Sequence, residues 1–96
     1  MELVVTYDVA TDTAAGRRRL RQVAKICEGF GQRVQKSVFE CVVDATGLVL
    51  LEHQLSAVIE PREDSLRIYR LREPRERYLR VIGQQPEFDV RGPLII

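Results

Sequence analysis

A mainly apolar run, rich in Val, Thr and Tyr, extends from Leu3 to the acidic Asp8 and Val9 and predicts a strand, with Leu3, Val5 and Tyr7 on one side and Val4, Thr6 and Asp8 on the other. Ala10-Thr11-Asp12-Thr13 follows as a turn, with Asp12 or Thr13 suited to cap a helix running to about Gly29. At helical spacing, Leu20, Val23, Ala24, Cys27 and Phe30 share one arc, and Arg17, Arg18, Arg21 and Lys25 share another. Arg19 lies on the edge of the apolar arc, so its stem is expected on the core and its head elsewhere. Gly29 and Gly31 end the helix.

Residues 32–44 read as strand but exceed an ordinary strand length of about five or six residues, so a break is predicted near Gln35-Lys36-Ser37. The second half alternates Val38, Glu40 and Val42 with Phe39, Cys41 and Val43. A second helix opens at Ala45-Thr46-Gly47, with Leu48, Leu51, Leu55, Val58 and Ile59 on its apolar arc. Val49 and Leu50 fall outside that arc as an exposed patch suited to a partner. Pro61-Arg62-Glu63-Asp64 is a turn, and Ser65 to Leu71 is a further strand. The order β-α-β-β-α-β predicts an α+β, ferredoxin-like fold, two helices stacked on one face of a mainly antiparallel sheet. The other face, left uncovered, implies a second subunit. A short strand is expected at Tyr78 to Ile82, completing a domain over residues 1–82. Residues 83–96, with Gly83, Pro86, Gly92 and Pro93 before Leu94-Ile95-Ile96, are expected to dock as an extension on a partner's sheet edge.

Composition narrows the function classes. A chain of 96 residues with 45% hydrophobic content is one domain able to bury a modest core. No stretch approaches the roughly 20 apolar residues of a membrane span, and the acidic second residue does not resemble a secretory leader, so the cytosol is the expected compartment. Cys27 and Cys41 are too widely spaced for CxxC chemistry and read as buried thiols. His53 projects opposite the apolar arc of its helix, which removes histidine-based nucleophilic catalysis, and no glycine-rich phosphate loop, HExxH or GxSxG occurs. The net charge of +1 conceals a strongly basic first helix, where Arg17, Arg18, Arg19, Arg21 and Lys25 face only Glu28. Only Lys25 and Lys36 are lysines, and the planar arginine fork suits phosphate.

Taken alone, Asp8 starts a turn or caps the following helix. Beside a basic helix and an open sheet face it also reads as a metal ligand. Magnesium takes only one or two protein carboxylates, so one Asp per chain suffices if a dimer brings two together.

The stretches Val4-Val5-Thr6-Tyr7-Asp8-Val9, Arg17-Arg18-Arg19-Leu20, and Gly31 followed by Val34-Gln35-Lys36-Ser37-Val38-Phe39-Glu40 carry a family resemblance. The chain resembles the small CRISPR-associated proteins of the adaptation module, often called CRISPR-associated endoribonucleases, from Met1 to about Leu71 and more loosely to Ile82. The resemblance implies a ferredoxin-like homodimer in which two copies of Asp8 face each other and bind magnesium, or manganese in its place. It also implies C-terminal strands on the partner's sheet and a place beside the adaptation integrase in spacer acquisition. Metal-dependent cleavage of RNA or duplex DNA is one implied activity, and a non-catalytic, DNA-holding role is the other. Tyr7, Asp8, Arg19 and Phe39 carry over as catalytic positions, and Arg17, joined by Arg33, as a nucleic-acid contact. Arg18, Arg21 and Lys25 extend that set from the helix stripe. For Tyr7 a packing role competes, since a phenol of pKa about 10 is poorly matched to neutral pH. For Phe39 the alternative is core packing.

Overall fold

The computed structural model describes residues 1–84. Its elements are β1 (Glu2–Asp8), α1 (Ala14–Glu28), β2 (Gly31–Gln35), β3 (Val38–Val42), α2 (Ala45–Val58), β4 (Ser65–Arg70) and a single helical turn, α3 (Arg75–Tyr78). The four strands form one antiparallel sheet in the order β2-β3-β1-β4, so the fold is the α+β, ferredoxin-like one that the alternation predicts.

Burial follows the two periodicities. Leu3, Val5 and Tyr7 of β1 and Phe39 and Cys41 of β3 are buried toward the helices, joined by Val23 and Cys27 of α1 and Leu51 and Leu55 of α2. Cys27 and Cys41 are free thiols, and burial pushes them up to about 12 and about 11, respectively. Thr13 caps α1, its hydroxyl accepting from the Gly16 amide at 3.0 Å, and Asp44 caps α2, accepting from the Gly47 amide at 2.7 Å. Val49 and Leu50 lie on the exposed side of α2 at 68% and 47% exposure, the patch their position outside the arc predicts.

The predicted break in residues 32–44 is a two-residue turn at Lys36-Ser37. Just before it, Arg33 pairs with Phe39 but Gln35 with Val38, so Val34 is an extra residue, a bulge in β2. Gly31 lets this strand pass close to β3, since a Cβ there would lie 2.1 Å from the Glu40 carbonyl oxygen.

One expectation is corrected. Tyr78 to Ile82 is not a strand: Pro74 precedes the turn α3, Arg77 and Leu79 donate to the Pro74 and Arg75 carbonyls, and residues 79–82 are irregular. An alternating pattern forms a strand only beside a pairing edge, and none lies against this segment among the described residues. The turn α3 before it meets the sheet face away from α1 and α2, where the Arg75 guanidinium donates to Glu40 at 2.8 Å. Val42 and Tyr69 stay exposed on that face, at 68% and 45%. The expected docking of residues 83–96 falls almost wholly outside the described residues. No described helix is long and apolar enough to cross a membrane.

Candidate metal and nucleic-acid site

Asp8 is the last residue of β1, a central strand paired on both sides, with β3 and with β4, where Asp8 itself opposes Ser65. The strand's alternation turns its carboxylate away from the core. It is exposed, and no hydrogen bond or ion pair among the described residues engages it. An unpartnered carboxylate is a hard oxygen donor of the kind Mg²⁺ or Mn²⁺ takes. No group of three or more His, Cys, Asp or Glu side chains gathers anywhere among the described residues. Among the described residues, then, Asp8 stands as a lone carboxylate donor and not as part of a cluster of three or more such side chains.

The loop after Asp8 is fixed from below by Asp64, which the sequence reading treats only as part of a turn. The Asp64 side chain is excluded from solvent. It accepts from the Ala10 amide at 3.1 Å, the Glu60 amide at 3.0 Å and Arg19 Nε at 2.8 Å. The Arg19 Nη2 also reaches Asp64 at 3.3 Å and Glu63 at 3.2 Å. The Arg19 guanidinium, together with the two backbone donors, holds the Asp64 carboxyl below the usual carboxylate range. This network ties α1, the loop after β1 and the approach to β4 into one block. Gly16 completes it: a Cβ there would sit 1.9 Å from the Ala10 carbonyl oxygen, so the first turn of α1 presses directly on the loop.

Four of the residues predicted to act on a substrate are engaged by partners within the chain. Phe39 is fully buried, its ring stacked on Tyr7 with centroids 6.3 Å apart. Tyr7 is 6% exposed, its hydroxyl donates to the Lys36 carbonyl at 3.4 Å, and burial pushes its phenol up to about 12, unsuited to proton transfer near neutral pH. Arg33 is 8% exposed and lies over the Phe39 ring at 5.0 Å. Its Nη1 donates to the Lys36 carbonyl at 2.6 Å and its Nη2 faces Glu28 at 3.7 Å. These three form one buried stack bracing the β2–β3 turn, with little of any side chain open to solvent. Arg19 is engaged as the brace of Asp64.

The remaining cations are open. Arg17 donates to the Thr11 carbonyl at 3.1 Å and is otherwise exposed. Arg18, Arg21 and Lys25 are exposed along α1 and make no hydrogen bond or ion pair with the described residues. Their spacing lays them along one side of the helix.

With this geometry in place, likeness to known proteins becomes informative. The model of a family described as CRISPR associated protein Cas2 matches residues 1–78. Over its full length the chain is 50% identical to a CRISPR-associated endoribonuclease Cas2 of Moorella thermoacetica, covering all of both chains. It is 48% identical to a CRISPR-associated endonuclease Cas2 of Halalkalibacterium halodurans, covering 99% of each. The crystal structure of Streptococcus pyogenes Cas2 at pH 6.5 superposes with a TM-score of 0.77 at 48% identity, spanning 86% of this chain and 100% of that one.

Proposed function

The chain belongs to the CRISPR-associated Cas2 family, and from that premise we propose that it is a metal-dependent endonuclease cutting phosphodiester bonds in RNA or duplex DNA. It works as a homodimer beside the adaptation integrase during spacer acquisition. The observation that carries this reading is the exposed, unpartnered Asp8 carboxylate at the end of a central strand, on a sheet face that still exposes Val42 and Tyr69. Relatives whose names record endoribonuclease or endonuclease activity support it.

Asp8 of each of two chains would hold one Mg²⁺ or Mn²⁺. When bound, the ion supplies Lewis-acid polarisation of the scissile phosphodiester. This chain's own part is positional. The pairing of β1 on both edges and the Asp64 block beneath the loop keep the carboxylate in place, and Arg17, Arg18, Arg21 and Lys25 attract the backbone phosphates without reading bases.

The test is Asp8→Asn, assayed with magnesium on RNA and on duplex DNA, beside parent protein with and without chelator. Cleavage should fall by about a hundredfold or more, with duplex affinity and dimer mass unchanged. Cleavage by the variant at the parental rate removes Asp8 from the reaction. A second reading, a DNA-holding subunit, is favoured by the open stripe of α1. Under it, Asp8→Asn still supports spacer acquisition while charge reversal of Arg18, Arg21 and Lys25 abolishes it.

A further inference from the structure

The alternation that turns Asp8 outward carries a second charged residue to the same face. Thr6 shares the outer side of β1 with Asp8, and β4 sets Arg67 opposite Thr6 and Tyr69 opposite Val4. Asp8 itself opposes Ser65, so Arg67 is its diagonal neighbour, a position about 7–8 Å away in an antiparallel pair and within reach of a long side chain. Arg67 is exposed, its Nη1 donates to the Tyr69 hydroxyl at 3.0 Å, and it makes no ion pair among the described residues. Glu40, an acid of the same face, is already taken by Arg75 at 2.8 Å.

A guanidinium holds several N–H donors in a fixed fork, and the contact with Tyr69 uses one of them. That contact favours one lie of the fork along β4. The donors that remain suit the two non-bridging oxygens of a phosphodiester, a match that a lysine point charge does not make. The cations of α1 stand differently, because that helix covers the opposite face of the sheet. Their attraction is spread along a strand, whereas Arg67 stands beside the one carboxylate that the proposed cleavage uses.

In hydrolysis of a phosphodiester a water oxygen bonds to phosphorus while the bond to the leaving ester oxygen breaks, its electron pair staying with that oxygen. The leaving oxygen takes up one proton, the water gives up one, and charge shifts among the phosphoryl oxygens in between. Donors preorganised toward those oxygens stabilise the transition state more than the ground state.

We propose that Arg67 is a catalytic residue of this site, donating to the non-bridging oxygens of a phosphodiester held beside Asp8, and that Tyr69 positions it. The proposal rests on the reading of Asp8 as the centre of cleavage. In the homodimer of that reading, each chain adds one Arg67 to the seam where the two carboxylates meet.

The experiment has a metal-free arm and a kinetic arm, both on the full chain. In chelator, isotope-labelled protein is titrated with the dinucleotide TpT, and the arginine Nε–H resonance that disappears in Arg67→Lys is followed. It should shift and saturate in the parent and in Asp8→Asn, and shift less in Tyr69→Phe. In the kinetic arm, with magnesium, Arg67→Gln should lower kcat by about a hundredfold with KM within about threefold. Arg67→Lys should recover part of that loss, and Tyr69→Phe should lose about threefold to tenfold. An Arg67 resonance that TpT does not move overturns the proposal. Parental kcat in Arg67→Gln while Asp8→Asn is inactive also overturns it, with the Asp8 reading left standing. A raised KM at unchanged kcat makes Arg67 one more backbone contact and overturns its catalytic role. A fall in dimer mass for Arg67→Lys and Arg67→Gln in sedimentation assigns the guanidinium to the contact between copies and overturns it as well. Asp8→Asn cleaving at the parental rate removes the reading and the proposal together.

Discussion

Truncating Phe39 separates packing from chemistry. The ring is fully buried, stacks on Tyr7 at 6.3 Å and lies beneath the Arg33 guanidinium at 5.0 Å. Phe→Ala in such a position costs about 3–5 kcal/mol, from lost transfer energy and the cavity left behind. A domain of this length has roughly 5–14 kcal/mol in total, at about 0.05–0.15 kcal/mol per residue. Phe39→Ala should therefore lose a large share of its stability. With a urea m-value near 2 kcal/mol/M, the midpoint should drop by about 2 M. Phe39→Leu keeps most of the volume and should lose about 1–2 kcal/mol, enough to shift the midpoint but not to unfold the chain at low temperature. The assay is urea unfolding followed by far-ultraviolet circular dichroism, paired with cleavage and duplex binding of Phe39→Leu in the cold. Activity per folded molecule should match the parent within about threefold. The packing argument is refuted if Phe39→Ala leaves the midpoint within about 0.3 M of the parent. It is also refuted if fully folded Phe39→Leu loses about a hundredfold in cleavage, because the ring would then be reaching the substrate.

Two further outcomes follow from the block beneath Asp8. Asp64→Asn should lower the melting temperature at neutral pH and, on the proposed function, slow cleavage assayed with magnesium without changing duplex affinity. The Asp64 carboxyl titrates below its ordinary value when folded, so its stabilising effect is present above the unfolded carboxylate range, about 3.9, and disappears as pH falls through the folded value. The gap in melting temperature between parent and variant should hold steady above about pH 5 and narrow below about pH 4, and a gap independent of pH down to that range would count against the ion pair. Gly16→Ala must displace the Ala10 carbonyl, since the new Cβ would start 1.9 Å from its oxygen, and should cost about 1–3 kcal/mol with faster amide exchange at residues 10–13. A melting temperature at or above that of the parent would show that the contact is not tight.

How much of this the sequence disclosed depends on whether the relevant physics is local. The β1 alternation exposed the fold and the outward direction of Asp8, because a strand buried on one face writes its environment into every second residue. The helix arcs of α1 and α2 were legible for the same reason at their own period. The surroundings of Arg33 were not legible, because the extra residue at Val34 resets the face of everything before it and nothing in GQRVQKS announces a bulge. Tyr7 and Phe39 look alike as core or site until the opposite strand is in register. Asp64 was missed because two of its three hydrogen-bonding residues, Arg19 and Ala10, lie 45 and 54 residues away in sequence. The sole cue available was the position of Arg19 at the edge of the apolar arc, which required an acid somewhere to receive its head. The apolar residues of 78–82 mimicked a strand because alternation does not report whether an edge is there to pair with.

The two sulfurs have a practical meaning of a different kind. Cys27 belongs to α1 and Cys41 to β3, both are closed to solvent, and thiols raised to about 12 and 11 are almost wholly protonated at neutral pH. An alkylating reagent can reach them only when the helix parts from the sheet. The wild-type chain therefore carries its own clock for that event. Labelling both sulfurs together marks a full opening, and labelling one alone marks a partial one, so a mass spectrum taken over time would resolve how this small domain breathes, with no mutation or attached probe.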